Sequence, residues 1–274
     1  MIWDCCIFFN EIDLLVLRLK ELWDVVDRFV VIEATTTFQG KPKPLNGLAA
    51  WERLAPFASK LRMWTVQLPE KGTAKQREDI QRDAVTQATV DAAPEDLIML
   101  SDSDEIPHPE SIPAADCLAA PNKPVVFEQL FSFYFLNTVR SGKWQGTAAQ
   151  HKGDMPPHAA ALRSQTRPGT KIAFTTLRNA GWHFSFLGGA AGVVAKIKAY
   201  AHLEKNTPAF TDMKLVQARI KALKDPFDRA GCDVTQVVVD EEFPKEVQLN
   251  MDQYKHLLLP EIVRCAACGH IIEE

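Results

Sequence analysis

The stretch of residues 97–107 reads LIMLSDSDEIP, and it determines the fold class that the sequence predicts. Its first four residues are apolar and predict a buried strand. Asp102 and Asp104 follow directly, before Pro107 ends the segment. Ligands of an open α/β sheet bind beyond the carboxyl ends of its strands. The stretch therefore predicts a strand that delivers two carboxylates to a binding site at the edge of a sheet.

The segments around this stretch alternate between strand and helix patterns. Short apolar runs predict strands at residues 2–9, 28–33 and 61–68, and helix-forming runs predict helices at 14–26 and 75–90. Asn10 is expected to cap the first helix. Such alternation is typical of a parallel sheet with helices on both faces. We therefore expect an α/β fold with a central, mostly parallel sheet.

The second half of the chain has less regular patterns. Residues 125–136 and 181–186 predict strands, and residues 193–203 and 212–223 predict helices. No stretch has the composition of a flexible linker. We therefore expect a single domain over all 274 residues.

The composition excludes several classes of protein. Hydrophobic residues make up 46% and charged residues 24% of the chain, which is typical of globular rather than disordered proteins. The formal net charge is -4 and no basic block is present, so nucleic acid is not an expected partner. Residues 179–195 lack charged side chains but are too few and too polar to span a membrane. Asp4 stands where a secretory signal carries Lys or Arg, so we expect a cytoplasmic protein without a transmembrane segment, and peripheral membrane contact stays open.

The cysteines are too sparse for a disulfide scaffold. Cys265, Cys268 and His270 have the spacing of half a zinc knuckle, but no second Cys/His pair at suitable spacing accompanies them. An irregular C-terminal tail is the simpler interpretation, and zinc is the alternative.

The two aspartates suit divalent-metal chemistry. Their i, i+2 spacing can direct both carboxylates toward one Mg²⁺ or Mn²⁺ ion that bridges a diphosphate. Such an ion stabilises the negative charge that develops on a departing nucleoside diphosphate. The alternative is a solvated turn in which the carboxylates accept hydrogen bonds from their own backbone. An aspartyl-phosphatase motif fits less well, because Ile106 stands where such enzymes have Thr and the motif follows the fourth strand.

Several motifs occur together in one order along residues 1–210. They are FNEIDLL at 9–15 with a following Arg18, VIEAT at 31–35, QGKP at 39–42, QRD at 81–83, LSDSDEIP at 100–107, GWHFS at 181–185 and the stretch 196–204, which contains AHLE at 201–204. In this order they resemble glycosyltransferase family 17. Several motifs that agree in order are more specific than any one of them.

The resemblance implies a GT-A-like, Rossmann-like fold that binds a nucleotide sugar. It further implies transfer of N-acetylglucosamine from UDP-N-acetylglucosamine to a glycan or glycoconjugate hydroxyl, with inversion and with Mn²⁺ or Mg²⁺. Residues 1–140 would then form the nucleotide-sugar-binding half, and residues 141–274 the acceptor side.

The resemblance also implies roles for residues in the matching motifs. Asp104 would bind the metal, and Asp102 would bind the metal or the donor ribose. Glu33 is similar to the acidic residue that holds uridine. The diphosphate would be bound by Arg82 or, with less support from the motifs, by Arg77 or Lys41.

An inverting transfer needs a base that removes the proton of the acceptor hydroxyl. The candidates are Glu204, His202, His183, Glu128 and Glu105, of which Glu204 stands at a suitable interval after the aspartates. His183 has two further interpretations besides the base. It could close over the metal or the diphosphate, or it could be a hydrogen-bonded histidine of the core.

Aromatic residues offer surfaces on which a sugar can stack. Trp182, Trp144 and Tyr134 are the candidates, and for Trp144 ordinary packing is the preferred interpretation.

Two other functions are compatible with the same residues. One is a nucleotidyltransferase or phosphohydrolase that uses Asp102 and Asp104 for phosphoryl chemistry. The other is a carbohydrate-binding protein without turnover.

Overall fold

The computed structural model describes residues 1–260 and the backbone of two short strands, Val263–Arg264 and Ile271–Ile272. Cys265, Cys268 and His270 lie outside the described residues, as does the zinc hypothesis that rests on them.

The described residues form eleven strands of one large sheet, with helices between them. The strands are β1 Ile2–Phe8, β2 Arg28–Ala34, β3 Leu61–Val66, β4 Leu97–Asp102, β5 Glu105–Pro107, β6 Val125–Phe133, β7 Thr138–Arg140, β8 Trp144–His151, β9 Thr175–Leu177, β10 Gly181–Ser185 and β11 Val234–Gln236. The two strands beyond residue 260 pair with each other, antiparallel.

The α-helices are α1 Ile12–Glu21, α2 Asn46–Ala49, α3 Trp51–Leu54, α4 Ala74–Ala88, α5 Ile112–Leu118, α6 Ala159–Gln165, α7 Gly189–Ile197, α8 Pro208–Thr211, α9 Met213–Lys221, α10 Lys245–Leu249 and α11 Met251–Tyr254. Short 3₁₀ turns lie at Ala55–Phe57, Pro109–Ser111, Lys152–Asp154, Leu203–Lys205 and Lys255–Leu257. None of the helices among the described residues is long and apolar enough to cross a membrane.

The predicted α/β class is confirmed, but the sheet is mixed rather than mostly parallel. β3, β2, β1 and β4 lie side by side and run parallel, as the alternating pattern predicts. β8 then pairs antiparallel with β4, and β6 pairs antiparallel with β8. The chain passes from β6 through β7 to β8 by short turns, and a parallel pairing needs a connection of a dozen or more residues. β9 and β10 pair parallel with β6, so the second half is mixed and the mostly parallel prediction is only partly matched.

The sheet is covered on both faces because its strands are apolar on both sides. Cys6 and Phe8 of β1 pack in one cluster with the apolar side of α1. Cys5 and Ile7 pack in another cluster, with Val85 of α4. Successive residues of a strand point to opposite faces, so the two clusters lie on opposite sides of the sheet.

Some predicted helix ends differ from the observed ones. α1 ends at Glu21 rather than at residue 26, and Asn10 does not cap it, since Glu11 is its N-cap residue and makes no capping hydrogen bond. α4 begins after Thr73, whose side chain forms a reciprocal capping box with Gln76. α7 covers Gly189–Ile197 rather than 193–203.

A buried arginine joins α1 to the parallel strands. Arg18 is fully buried and donates to both carboxylate oxygens of Asp4 on β1, at 2.6 and 2.5 Å. It also donates to Ser101 Oγ at 2.5 Å and to the carbonyl oxygen of Glu105 at 2.6 Å. Arg18 therefore fixes the turn that carries the two aspartates.

Replacing this arginine should destabilise the protein strongly. Arg18→Met leaves the Asp4 carboxylate buried without its partner, so the free energy of unfolding should fall by about 3–5 kcal/mol. Urea denaturation measures it. The matched control is Arg53→Met, which breaks the exposed pair of Arg53 with Asp13 and should cost less than about 1 kcal/mol. Equal losses in the two variants would contradict this role of Arg18.

Candidate active site

A cavity of about 1020 Å³ opens at the carboxyl ends of the parallel strands. Phe8 at the end of β1 and Asp102 at the end of β4 both line it. The strand order reverses between β1 and β4, because the chain builds β2 and β3 on one side of β1 and β4 on the other. Such a reversal point is where open α/β sheets bind ligands. The cavity lies where the sequence predicts the site.

Asp102 lines this cavity and is held by two arginines. Its side chain is 34% exposed and accepts a hydrogen bond from Arg82 Nη2 at 2.8 Å, while Arg163 Nη2 lies 3.8 Å away. Burial by itself would raise the pKa of Asp102, but attraction to Arg82 and Arg163 outweighs it and lowers that pKa below its usual range. The carboxylate is therefore ionised at neutral pH.

Asp104 lines the same cavity but is more deeply buried. Lys196, in the last turn of α7, donates to Asp104 Oδ2 at 2.5 Å, and His183 Nε2 lies 3.4 Å from the same oxygen. The Lys196 ammonium is also 3.2 Å from Glu11 Oε1. Although burial opposes ionisation, Lys196 and His183 lower the pKa of Asp104 far below its usual range. The sheet edge thus carries two ionised carboxylates, each with a cationic neighbour.

His183 lies against the aspartate pair and is fixed by aromatic rings. Its ring centroid is 4.4 Å from that of Phe131 and 4.9 Å from that of Trp144. Its Nδ1 is buried and has no hydrogen-bond partner among the described residues. This position is compatible with a group that closes over the metal or diphosphate and with a core histidine.

Glu105 lies behind the aspartate turn and not in the cavity. It is fully buried, and its carboxylate accepts two hydrogen bonds from Arg163 at 2.7 Å and one from Trp144 Nε1 at 2.6 Å. The backbone N–H of Asp102 donates to it at 3.0 Å. Because each of these neighbours donates a hydrogen bond to it, the Glu105 carboxylate stabilises the turn. Since it is fully buried, it has no access to an acceptor hydroxyl.

Glu33 also lies outside the cavity lining. Its buried carboxylate accepts hydrogen bonds from Lys43 Nζ at 2.6 Å and from the backbone N–H groups of Asn46 at 2.6 Å and Gly47 at 2.9 Å. These contacts fasten the start of α2 to the end of β2. The arrangement gives Glu33 a structural role, and its contact with uridine stays a prediction.

Of the basic residues predicted to bind the diphosphate, Arg82 alone lines the cavity. Arg77 donates to the carbonyl oxygens of Pro69, Phe38 and Glu70, so its guanidinium holds a loop. Lys41 is exposed and outside the lining.

The predicted base candidates also differ in whether they line the cavity. Glu204 and Glu128 do not line the cavity, whereas His202 does. Glu204 Oε1 lies 3.0 Å from His202 Nδ1, so the two form a pair at the rim.

Two of the three aromatic candidates belong to the core. Trp182 donates to the carbonyl oxygen of Glu242 at 2.7 Å, and Tyr134 donates to that of Lys224 at 2.7 Å. Trp144 lines the cavity, but Phe131, His183 and a guanidinium pack against its ring. The preferred packing interpretation of Trp144 agrees with this arrangement.

Among the cavity residues that sequence reasoning did not single out are Glu11, Arg163, Arg167 and Lys196. Arg163 lies on α6, which ends at Gln165, and Arg167 follows two residues beyond that end, so no helical spacing in the sequence links the two. Glu11 lies in the first of the matching motifs. Lys196 begins the matching stretch of residues 196–204, and that match is the signal that distinguishes it from a solvated lysine of a helix.

The aspartates fit a metal that arrives with its ligand. Among residues 1–260, no group of three or more His, Cys, Asp or Glu side chains is placed to hold a metal ion. Mg²⁺ is commonly bound by one or two protein carboxylates together with substrate phosphates and water. The donor set of Asp102 and Asp104 therefore suits an ion shared with a diphosphate.

Comparison with known proteins gives one informative finding. The family model described as Glycosyltransferase family 17 matches residues 1–264. No curated protein matches the chain significantly.

The structural role of Glu33 can be separated from a role in binding. Glu33→Ala leaves one ammonium and two buried backbone N–H groups without their acceptor, so the free energy of unfolding should fall by about 1–3 kcal/mol. Affinity for UDP should stay within about twofold of the parent, because Glu33 does not line the cavity.

Chemical denaturation and calorimetry measure the two quantities. Glu52→Ala, in the exposed part of nearby α3, is the control and should change stability by less than about 0.5 kcal/mol. A large loss of UDP affinity at unchanged stability would restore the uridine-binding role of Glu33.

Proposed function

Because the chain belongs to glycosyltransferase family 17, we propose that this glycosyltransferase transfers N-acetylglucosamine from UDP-N-acetylglucosamine to a hydroxyl of a glycan or glycoconjugate, with inversion. The observation that carries the proposal is the position of Asp102 and Asp104, which line a cavity at the reversal point of the strand order.

We assign the fold to the GT-A type. Its support is a parallel β3-β2-β1-β4 unit, followed by an antiparallel strand, β8, beside the strand that carries the aspartates. Phe8, Phe9 and Thr36 line the cavity beside β1 and β2, and they supply a mixed apolar and polar surface for a nucleoside. The nucleoside of the donor would then lie over β1 and β2, and its diphosphate beside β4.

Metal dependence belongs to the proposal as well. Asp102 and Asp104 would hold Mn²⁺ or Mg²⁺ together with the diphosphate. The bound ion would neutralise negative charge on the leaving UDP. Lys196 now bonds to Asp104 Oδ2, so an ion and this ammonium would share one carboxylate.

The chain's own residues position the donor. Arg82 contacts Asp102 through one amino group and Glu78 through the other, so its guanidinium is fixed beside the aspartate. A fixed guanidinium orients phosphate oxygens by charge-assisted hydrogen bonds. Orientation of the donor fixes the direction from which the acceptor attacks.

We place the base at His202, oriented by Glu204. The carboxylate lies 3.0 Å from His202 Nδ1, which leaves Nε2 to accept the proton of the acceptor hydroxyl. Both residues are candidates of the sequence, and His202 lines the cavity. The expected cytoplasmic location stays a prediction.

The metal assignment can be tested by binding. Asp104→Asn should remove the Mn²⁺-dependent part of the affinity for UDP-N-acetylglucosamine, a loss on the order of tenfold or more, because the amide is a neutral, weaker metal ligand. Calorimetric titrations with and without Mn²⁺ measure it. Asp91→Asn, which removes an exposed carboxylate paired with Arg62, is the control and should leave the affinity unchanged.

Undiminished Mn²⁺-linked affinity in Asp104→Asn would refute the metal role. Hydrolysis of phosphate esters without regard to the sugar would favour phosphoryl chemistry instead.

The base assignment predicts a defect in turnover. His202→Gln should lower kcat by about 10²–10⁴-fold and leave UDP affinity unchanged, because the imidazole would act on the acceptor. Glu204→Gln should give a smaller loss of kcat. Steady-state kinetics of donor consumption checks both variants, and unchanged kcat in His202→Gln would move the base elsewhere.

A further inference from the structure

The cavity wall contains a guanidinium that forms no ion pair among the described residues. Arg167 lines the cavity, and in the part of the chain that the structure describes no carboxylate lies within 4.0 Å of it. The other Lys and Arg side chains of this lining each contact a carboxylate. These pairs are Lys43 with Glu33, Lys75 with Asp79, Arg82 with Asp102, Arg163 with Glu105, Lys196 with Asp104 and Arg229 with Asp225.

Arg167 is nevertheless held in a defined position. Its Nη1 donates to the backbone carbonyl of Gln145, and its guanidinium carbon lies 4.8 Å from the ring centroid of Trp144. A guanidinium has five N–H donors, so most of its donors stay available for a ligand. Burial, together with the neighbouring Arg163, lowers the pKa of Arg167 to about 10, against the weaker attraction of Glu105 and Asp102, so the group is charged at neutral pH.

The position of Arg167 separates it from the nucleoside side of the cavity. Its partners, Trp144 and Gln145, begin β8, which lies beside β4 on the side away from β1 and β2. The register that pairs Leu97 with His151 and Leu100 with Ala148 brings the start of β8 level with the aspartate turn. The aspartates therefore lie between Arg167 and the surface over β1 and β2.

We propose that Arg167 binds an oxyanion of the acceptor, so that the acceptor is a phosphorylated or carboxylated sugar. This inference rests on the proposed function for the division of the cavity into donor and acceptor sides. A partly buried, stacked guanidinium with free donors is suited to phosphate and carboxylate groups, which it binds through two parallel hydrogen bonds.

The test compares charged and neutral sugars as probes. Binding of glucose 1-phosphate, methyl glucuronide and methyl glucoside is measured by saturation-transfer NMR, both without nucleotide and with saturating UDP and Mg²⁺. The charged probes should bind about tenfold or more tightly than methyl glucoside. Arg167→Gln should remove this preference, and Arg167→Lys should keep part of it.

Lys75→Gln is the matched control, because Lys75 lines the same cavity but contacts Glu78 and Asp79. It should keep the preference of the parent. Thermal unfolding of each variant verifies that the fold is intact.

Three results would overturn the inference. They are equal binding of all three sugars to the parent, an unchanged preference in Arg167→Gln, and a loss of UDP affinity in Arg167→Gln, since that loss would place the guanidinium on the donor diphosphate. Failure of UDP to bind the parent protein bears on the proposed function alone, because the nucleotide-free arm still measures the preference for charged sugars.

Discussion

The buried ion pair between Arg18 and Asp4 is the interaction on which the site depends. Its guanidinium reaches from α1 through the first strand to Ser101 and the carbonyl of Glu105, at either end of the aspartate turn. A buried charge is tolerated only when its hydrogen bonds are satisfied, so the Arg18 guanidinium requires all of these partners to be in place. A second buried pair, Arg163 with Glu105, holds the turn from the other side. These two buried ion pairs thus fix the turn that holds the carboxylates of Asp102 and Asp104 at the edge of the sheet.

The sequence predicts the elements that have a local signal. Residues 97–107 combine an apolar run with two aspartates, and both the strand and its position at the cavity follow from that pattern. The antiparallel pairing of β8 has no such signal, because it depends on the short connection after Phe133. The roles of Glu33 and Arg77 depend on partners that the fold brings from other segments, such as Asn46 for Glu33 and Phe38 for Arg77. A carboxylate at the end of a strand has the same sequence signal whether it faces a cavity or caps a helix.

The aspartate pair and the basic side chains of the cavity lining lie beside groups of opposite charge, with the exception of Arg167. Asp102 and Asp104 have cationic neighbours, and the lysines and arginines of the lining contact carboxylates, apart from Arg167. Two ligands together meet both needs: a donor that enters with a divalent cation, and an acceptor that carries an anionic group. The cation would serve the aspartates, and the anion Arg167.

We propose that Asp102 and Asp104 bind a divalent metal together with the diphosphate of a nucleotide sugar. The most direct measurement is an anomalous-difference electron-density map from crystals grown with UDP and Mn²⁺. We expect a manganese peak between these carboxylates and the diphosphate, with the nucleoside over β1 and β2. Bound UDP with the manganese peak elsewhere, or with its diphosphate away from both aspartates, would contradict it.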